Sequence, residues 1–145
     1  MSLLLTQGGS EKILNTFFGG SSYPKPANMY LELFTDSGAL SNTDQGSGRE
    51  LATGGGYAEI DLTTLDTAAG LSSGIGIIEW MDAVFTFTGP LTNSTNKTIK
   101  GYIVLADNVV IFEELLPGSG FTPANSGDTL TIALQFKLGN GTPTP

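Results

Sequence analysis

The side chains equipped for chemistry in this 145-residue chain are carboxylates, and several come in close pairs: Glu59 and Asp61, Glu79 and Asp82, Glu113 and Glu114. Two carboxyl groups held a fixed distance apart can serve as acid and nucleophile, or acid and base, in glycosidic bond cleavage. Glu59 and Asp61, two residues apart, would share one face of a strand. The same alternation sets them opposite Ile60 on the polar face, which is also the pattern of an ordinary solvated strand.

Other chemistries fall away by residue type. The chain has no cysteine and no histidine, so a thiol nucleophile, a Ser–His couple and the usual zinc ligands are all missing. "SNTDQGSGRE", from Ser41 to Glu50, places Asn42, Asp44 and Glu50 in faint outline of a calcium loop. EF-hand spacing and flanking helices are absent, and the stretch reads as a solvent loop. "TGGGYAEI", from Thr53 to Ile60, is glycine-rich ahead of a strand, whereas a phosphate cradle follows one and opens a helix. "GIGIIE", from Gly74 to Glu79, lacks the third glycine of a dinucleotide fingerprint. Both glycine clusters read as bulges or turns that need positive φ. The expectation is a protein with no catalytic, cofactor-binding or metal-ligating residues, hence not an enzyme. The Asn-X-Ser/Thr sequons at Asn93, Asn96 and Asn140 carry no weight without secretion.

Composition bounds what positions these groups. With 39% hydrophobic and 14% charged residues and 20 glycines, the chain is poor in helix formers and rich in turn formers. That mixture favours an all-β domain, at a length that buries a core without disulfide or metal staples. Six basic residues against 14 acidic ones leave a net charge of −8, which repels phosphate backbones, so nucleic acid is not an expected partner. No stretch reaches the roughly 20 apolar residues of a membrane span, and "MSLLLTQGGS" lacks a basic n-region and an adequate apolar run. A soluble protein made in the cytoplasm is expected.

Along the chain, Ser10–Phe18 reads as a helix. Ser10 caps it, Glu11 sits in its first turn, Ile13, Leu14, Phe17 and Phe18 form one apolar stripe, and Gly19 closes it. So short a helix needs a surface to dock on. Gly19-Gly20 end it, and Pro24 and Pro26 stiffen an extended crossing. Strands are expected at Tyr30–Thr35, Tyr57–Leu62, Ile77–Trp80, Ala83–Thr88, Ile99–Ala106, Val109–Leu115 and Thr129–Leu138, with Asp107-Asn108 as a two-residue hairpin turn. Trp80 is expected in the core. The fold class is therefore all-β: one antiparallel β-sandwich, jelly-roll or immunoglobulin-like, with a short N-terminal helix. Residues 1–27 form an arm, 28–138 the sandwich and 139–145 a flexible tail.

"LNTFFGGSSYPKPANMYLELFT" from Leu14 to Thr35, Gly54–Ala58 entering a strand, the mid-chain Trp80, Gly101–Val104 and Gly127–Ile132 follow one another along the chain. Together these stretches resemble a family of small tailed-bacteriophage structural proteins. The similarity runs in order from Leu14 to Leu138, and departs at Gly70–Asp82, where Met81-Asp82 follow Trp80 in place of glycine, and at the Asn/Thr-rich Thr92–Thr98. The resemblance implies a non-enzymatic virion protein, assembled in the bacterial cytoplasm. Its first implied role is a cement or decoration protein on the capsid exterior, bound to the major capsid protein and to itself, a trimer being favoured. The alternative is a tail-fibre or baseplate module that binds host glycans, which would need exposed aromatics among Tyr23, Tyr30, Tyr57, Trp80 and Tyr102. On either role the arm, through Leu3, Leu4, Leu5, Ile13, Leu14, Phe17 and Phe18, is expected to make contacts outside the protomer.

Overall fold

A computed structural model describes residues 4–5, 27–39, 48–72 and 75–138. Apart from one 3-10 turn at Leu62–Thr64, the regular structure among the described residues is entirely β. The strands are β1 (Leu4–Leu5), β2 (Met29–Phe34), β3 (Ile60–Asp61), β4 (Thr67–Ser72), β5 (Ile75–Trp80), β6 (Ala83–Thr86), β7 (Gly101–Ala106), β8 (Val109–Leu115), β9 (Thr129–Ile132) and β10 (Gln135–Leu138). All pairings are antiparallel. The expected helix at Ser10–Phe18 and the tail at 139–145 lie outside the described residues.

Five strands form one sheet in the order β1-β8-β7-β2-β3. β7 and β8 are continuous apolar runs, "GYIVLA" and "VVIFEEL", buried on both faces over most of their length. Their hairpin turns at Asp107 and Asn108, with φ of 48° and 65°. That pair of left-handed residues is the two-residue turn expected from the sequence, its twist matched to the strands. The register slips between Val104 and Leu105, so Phe112 faces Val104 while Val110 faces Leu105, leaving Ile111 as the bulged residue.

The remaining strands form a bent ribbon. β5 pairs with β10 and β6 with β9, and the amide of Trp80 donates to Leu134 O at 3.1 Å across the break. β4 flanks β5, which makes "GIGIIE" the centre of a three-stranded sheet. The bulge expected at Gly74–Glu79 is thus a regular strand from Ile75 onward, and β4 is a strand the sequence reading missed. Along β6 burial alternates strictly, Ala83 and Phe85 inward and Val84 and Thr86 outward, as the period of two predicts.

One main core lies between these layers. Leu31, Leu33, Tyr102, Val104 and Phe112 come from the five-stranded sheet, and Ala83, Phe85 and Ile132 from the ribbon. Trp80 is half-buried against it. The opposite face of the five-stranded sheet holds a smaller cluster, Phe34, Ile103 and Val110.

The glycine run is where a turn truly requires glycine. Gly54, Gly55 and Gly56 take φ of 76°, 58° and 75°. A Cβ on Gly55 would sit 2.5 Å from the carbonyl oxygen of Gly89, and one on Gly54 would sit 2.3 Å from Thr92 Oγ1. This left-handed turn closes with Tyr57 N donating to Gly54 O at 2.9 Å. It also shortens the strand expected over Tyr57–Leu62 to Ile60–Asp61, because Asp61 then accepts from Thr63 N at 2.9 Å and caps the 3-10 turn.

Gly118, with φ of 69° and open space around it, isolates the backbone cost of such a position. Gly118→Ala is expected to cost about 1–2 kcal/mol. Gly55→Ala adds a clash with main-chain oxygens that cannot swing away, so its loss should be clearly larger. Urea midpoints of the two variants check this, and equal shifts would refute it.

Candidate functional site

Five of the carboxylates fall into three groups with charged or titratable partners, and none is a pair anticipated from sequence spacing. The first is built around Arg49, the sole arginine. Its Nε and Nη2 donate to Glu113 Oε2 at 3.1 and 3.0 Å, and Nη1 donates to Asp36 Oδ1 at 2.8 Å. The remaining two donors reach Gly38 O and Ala39 O, both at 3.1 Å. All five N–H groups are thereby used. The guanidinium carbon lies 4.7 Å over the ring of Phe34. Side-chain exposure is 4% for Arg49 and 0% for Glu113, so this is a buried ion cluster. Burial alone would pull the Arg49 pKa down; the bonds to Asp36 and Glu113 outweigh it and hold the pKa above its ordinary value. Asp36 completes the clamp by accepting Glu50 N at 3.0 Å. Every donor of Arg49 is taken by a partner within the chain, which suits holding strands together rather than reacting.

The second group is Tyr102 and Glu114 on the main-core face. Tyr102 Oη donates to Glu114 Oε2, while Glu114 Oε1 is buried without a hydrogen-bond partner. Burial, then the bond to Glu114, push the phenol pKa well above its ordinary value. Glu113 and Glu114, adjacent in sequence, therefore serve opposite faces of one strand.

The third group is Glu32, Glu59 and Tyr57. Glu32 is half-buried on β2 and shares a hydrogen bond with the carboxyl of Glu59. Burial, that bond and the repulsion between the two acids raise the Glu32 pKa to about 7. Tyr57 Oη accepts Leu33 N at 2.9 Å. It fills a gap in the ladder along β2, between the pairing of Leu31 with Ile60 and the bond from Ala52 N to Leu33 O at 2.8 Å. Burial and the two neighbouring acids push its pKa up to about 12.

The remaining pairs do not converge. Glu59 is drawn to Glu32 while Asp61 caps a turn. Glu79 accepts from Gln135 Nε2, and Asp82 lies exposed in the break between β5 and β6. Among the described residues no three or more acidic groups are arranged to hold a metal ion. Of the arm residues, Leu4 and Leu5 pair with Glu113 and Phe112 of β8 as an edge of the chain's own sheet. Leu3, Ile13, Leu14, Phe17 and Phe18 lie outside the described residues. Of the aromatics considered for sugar stacking, Tyr102 is buried, Tyr57 stacks on Phe85 at 5.9 Å between centroids, and Tyr30 and Trp80 are half-buried. Tyr23 lies outside the described residues.

Sequence reasoning missed Arg49 and Glu32. The signals were there: a lone arginine at the end of a polar loop, and a glutamate inside the dense strand "MYLELF". What was missing was the three-dimensional partner of each.

Comparison with known families decides the chain's affiliation. The family model described as "Podophage GP4 fiber I protein gp80" matches residues 5–109. The chain belongs to that family. It is accordingly a phage structural protein and a virion component, as the motif resemblance implied, and the description names a fibre rather than a capsid-decorating protein. No curated protein matches the chain.

Two outcomes follow from the geometry. Glu32 binds its proton more tightly folded than unfolded, so its contribution is fully present below about pH 4.5 and is lost as pH rises through about 7. Glu32→Gln should flatten the fall in melting temperature across that window and leave the variant more stable than the parent at pH 8. Thermal melts from pH 4 to 8 check the sign. Arg49→Met strands Glu113 as a buried charge and should cost about 3–5 kcal/mol, with Arg49→Met/Glu113→Leu recovering most of it in a double-mutant cycle.

Proposed function

We propose that this protein is a non-enzymatic structural subunit of a podophage tail fibre. The single observation that carries the reading is the match over residues 5–109 to a family described as a fibre protein. The chemistry of the site supports it. The ion cluster at Arg49 is saturated with internal bonds, and the carboxyls of Glu113 and Glu114 are buried. The two-sided core fits a β-sandwich, the kind of compact module that is added to an assembly in many copies. The work assigned to it is assembly rather than sugar stacking, since the described tyrosines and Trp80 are half-buried or buried. The tail-fibre half of the alternative stated above is thus preferred to capsid cement, without its glycan-binding half.

Gold-conjugated antibody against the purified protein, applied to intact virions and imaged by electron microscopy, tests this. Label confined to the fibres is the expected result. Label spread over the capsid faces would overturn it and return the protein to a decoration role beside the major capsid protein.

A further inference from the structure

The outer side of the β6–β9 ribbon is exposed and carries no charge. Val84, Thr86 and Thr88 project from one strand and Thr129 and Thr131 from the other; all five are exposed, Val84 to 50%. The segments Ala83–Thr88 and Thr129–Gln135 contain no Asp, Glu, Lys or Arg, and no proline or glycine, in a chain of net charge −8. β9 pairs with β6 on one side and, among the described residues, with no strand on the other.

The hydrogen-bond phase of this ribbon shows which main-chain groups face outward. Phe87 N donates to Asp128 O at 2.8 Å, so Phe87 and Asp128 occupy a bonded position. Bonded and non-bonded pairs alternate along an antiparallel ladder. Phe85/Leu130 and Ala83/Ile132 are then bonded pairs, while Thr86/Thr129 and Val84/Thr131 are not. The N–H and C=O groups of Thr129 and Thr131 point away from β6. Natural sheets guard such an edge with lysine, proline or a bulge; here a bulge at Gly127 and Asp128, both facing Phe87, precedes the strand, and Thr129–Ile132 itself carries no lysine, proline or bulge.

We propose that the β9 edge, through Thr129 and Thr131, pairs antiparallel with the same edge of a second copy of this chain across a twofold axis. The result is a four-stranded sheet running from β6 through both copies of β9 to the partner's β6. A second copy is favoured over other occupants because a twofold contact needs a self-complementary surface, and this one offers threonine to threonine without like charges. Elsewhere a chain of this charge repels itself. The inference rests on the edge itself and not on the fibre reading, so either can fail without the other.

Sedimentation of the full chain, paired with amide exchange, tests it. The expected species has twice the 15.1 kDa protomer mass. The Thr129 and Thr131 amides should be protected at high concentration and exchange quickly on dilution. Thr131→Pro removes an outward donor without touching the ladder to β6, and should give a monomer with an unchanged circular dichroism spectrum. Thr131→Lys, at an exposed position, should weaken pairing about tenfold or more by setting like charges across the axis. A wild-type monomer at all concentrations, a folded Thr131→Pro variant that still dimerises, or a trimer whose Thr129 and Thr131 amides exchange freely would each overturn the proposal. Should both variants fail to fold, amide exchange in the unaltered protein decides alone.

Discussion

A fully buried carboxylate in the middle of a sheet is the constraint around which the five-stranded layer is arranged. Glu113 lies on β8 with no solvent contact, and an unpaired charge there would cost several kcal/mol. Arg49 supplies the counter-charge and brings the rest of its surroundings with it. Because the guanidinium also binds Asp36 and two carbonyls, the segment at 36–39 is tied to the strand two ladders away. Because it lies over Phe34, its flat face covers the smaller apolar cluster. Lysine, a point charge without the planar fork, could not make these contacts together. β8 then carries a second acid, Glu114, to the main core, where the phenol of Tyr102 meets it.

This placement explains why a chain with 14 acidic residues holds carboxylates that look paired in sequence and are not paired in space. Two of them lie inside the sheet as fastenings. Others finish turns: Asp61 at the 3-10 turn, and Asp128 accepting Ala124 N and Asn125 N, both at 2.8 Å. The exception is Glu32 with Glu59, where two acids meet and burial with their mutual repulsion raises the pKa of Glu32 to about 7. Such an arrangement suits a protein whose task is to hold shape within an assembly.

Much of the fold was legible because strand periodicity is a local property. The alternation in "AVFTFT", the Asp107-Asn108 turn and the glycines before Tyr57 each depend on residues within a few positions, and each was read correctly. The failures involve distance. β4 was invisible because "TAAGLS" has weak strand propensity and is held by its register with β5. The Tyr57–Leu62 strand was cut short by the left-handed glycine turn on one side and by the capping bond that Asp61 accepts from Thr63 N on the other. Arg49 and Glu113 stand 64 residues apart, and no spacing rule connects them. A phage structural protein was legible at that coarse level, while the choice between head and fibre was not, because both roles call for a compact β-domain without catalytic residues.

The sequon asparagines have a meaning for how the protein can be made. Asn93 is buried, and its Nδ2 donates to Leu51 O at 2.8 Å, Glu50 Oε1 at 3.2 Å and Thr35 Oγ1 at 3.3 Å, while Oδ1 accepts Thr53 N at 2.8 Å. Asn96 Nδ2 likewise donates to Thr35 O at 2.9 Å. These nitrogens are the atoms an oligosaccharide would be attached to in a eukaryotic secretory pathway. A sugar on Asn93 would occupy the space that joins it to the 50–53 segment, and one on Asn96 would displace its bond to Thr35 O. The same residues that look like glycan acceptors on paper are thus internal fastenings, and a sugar on either nitrogen is incompatible with this packing.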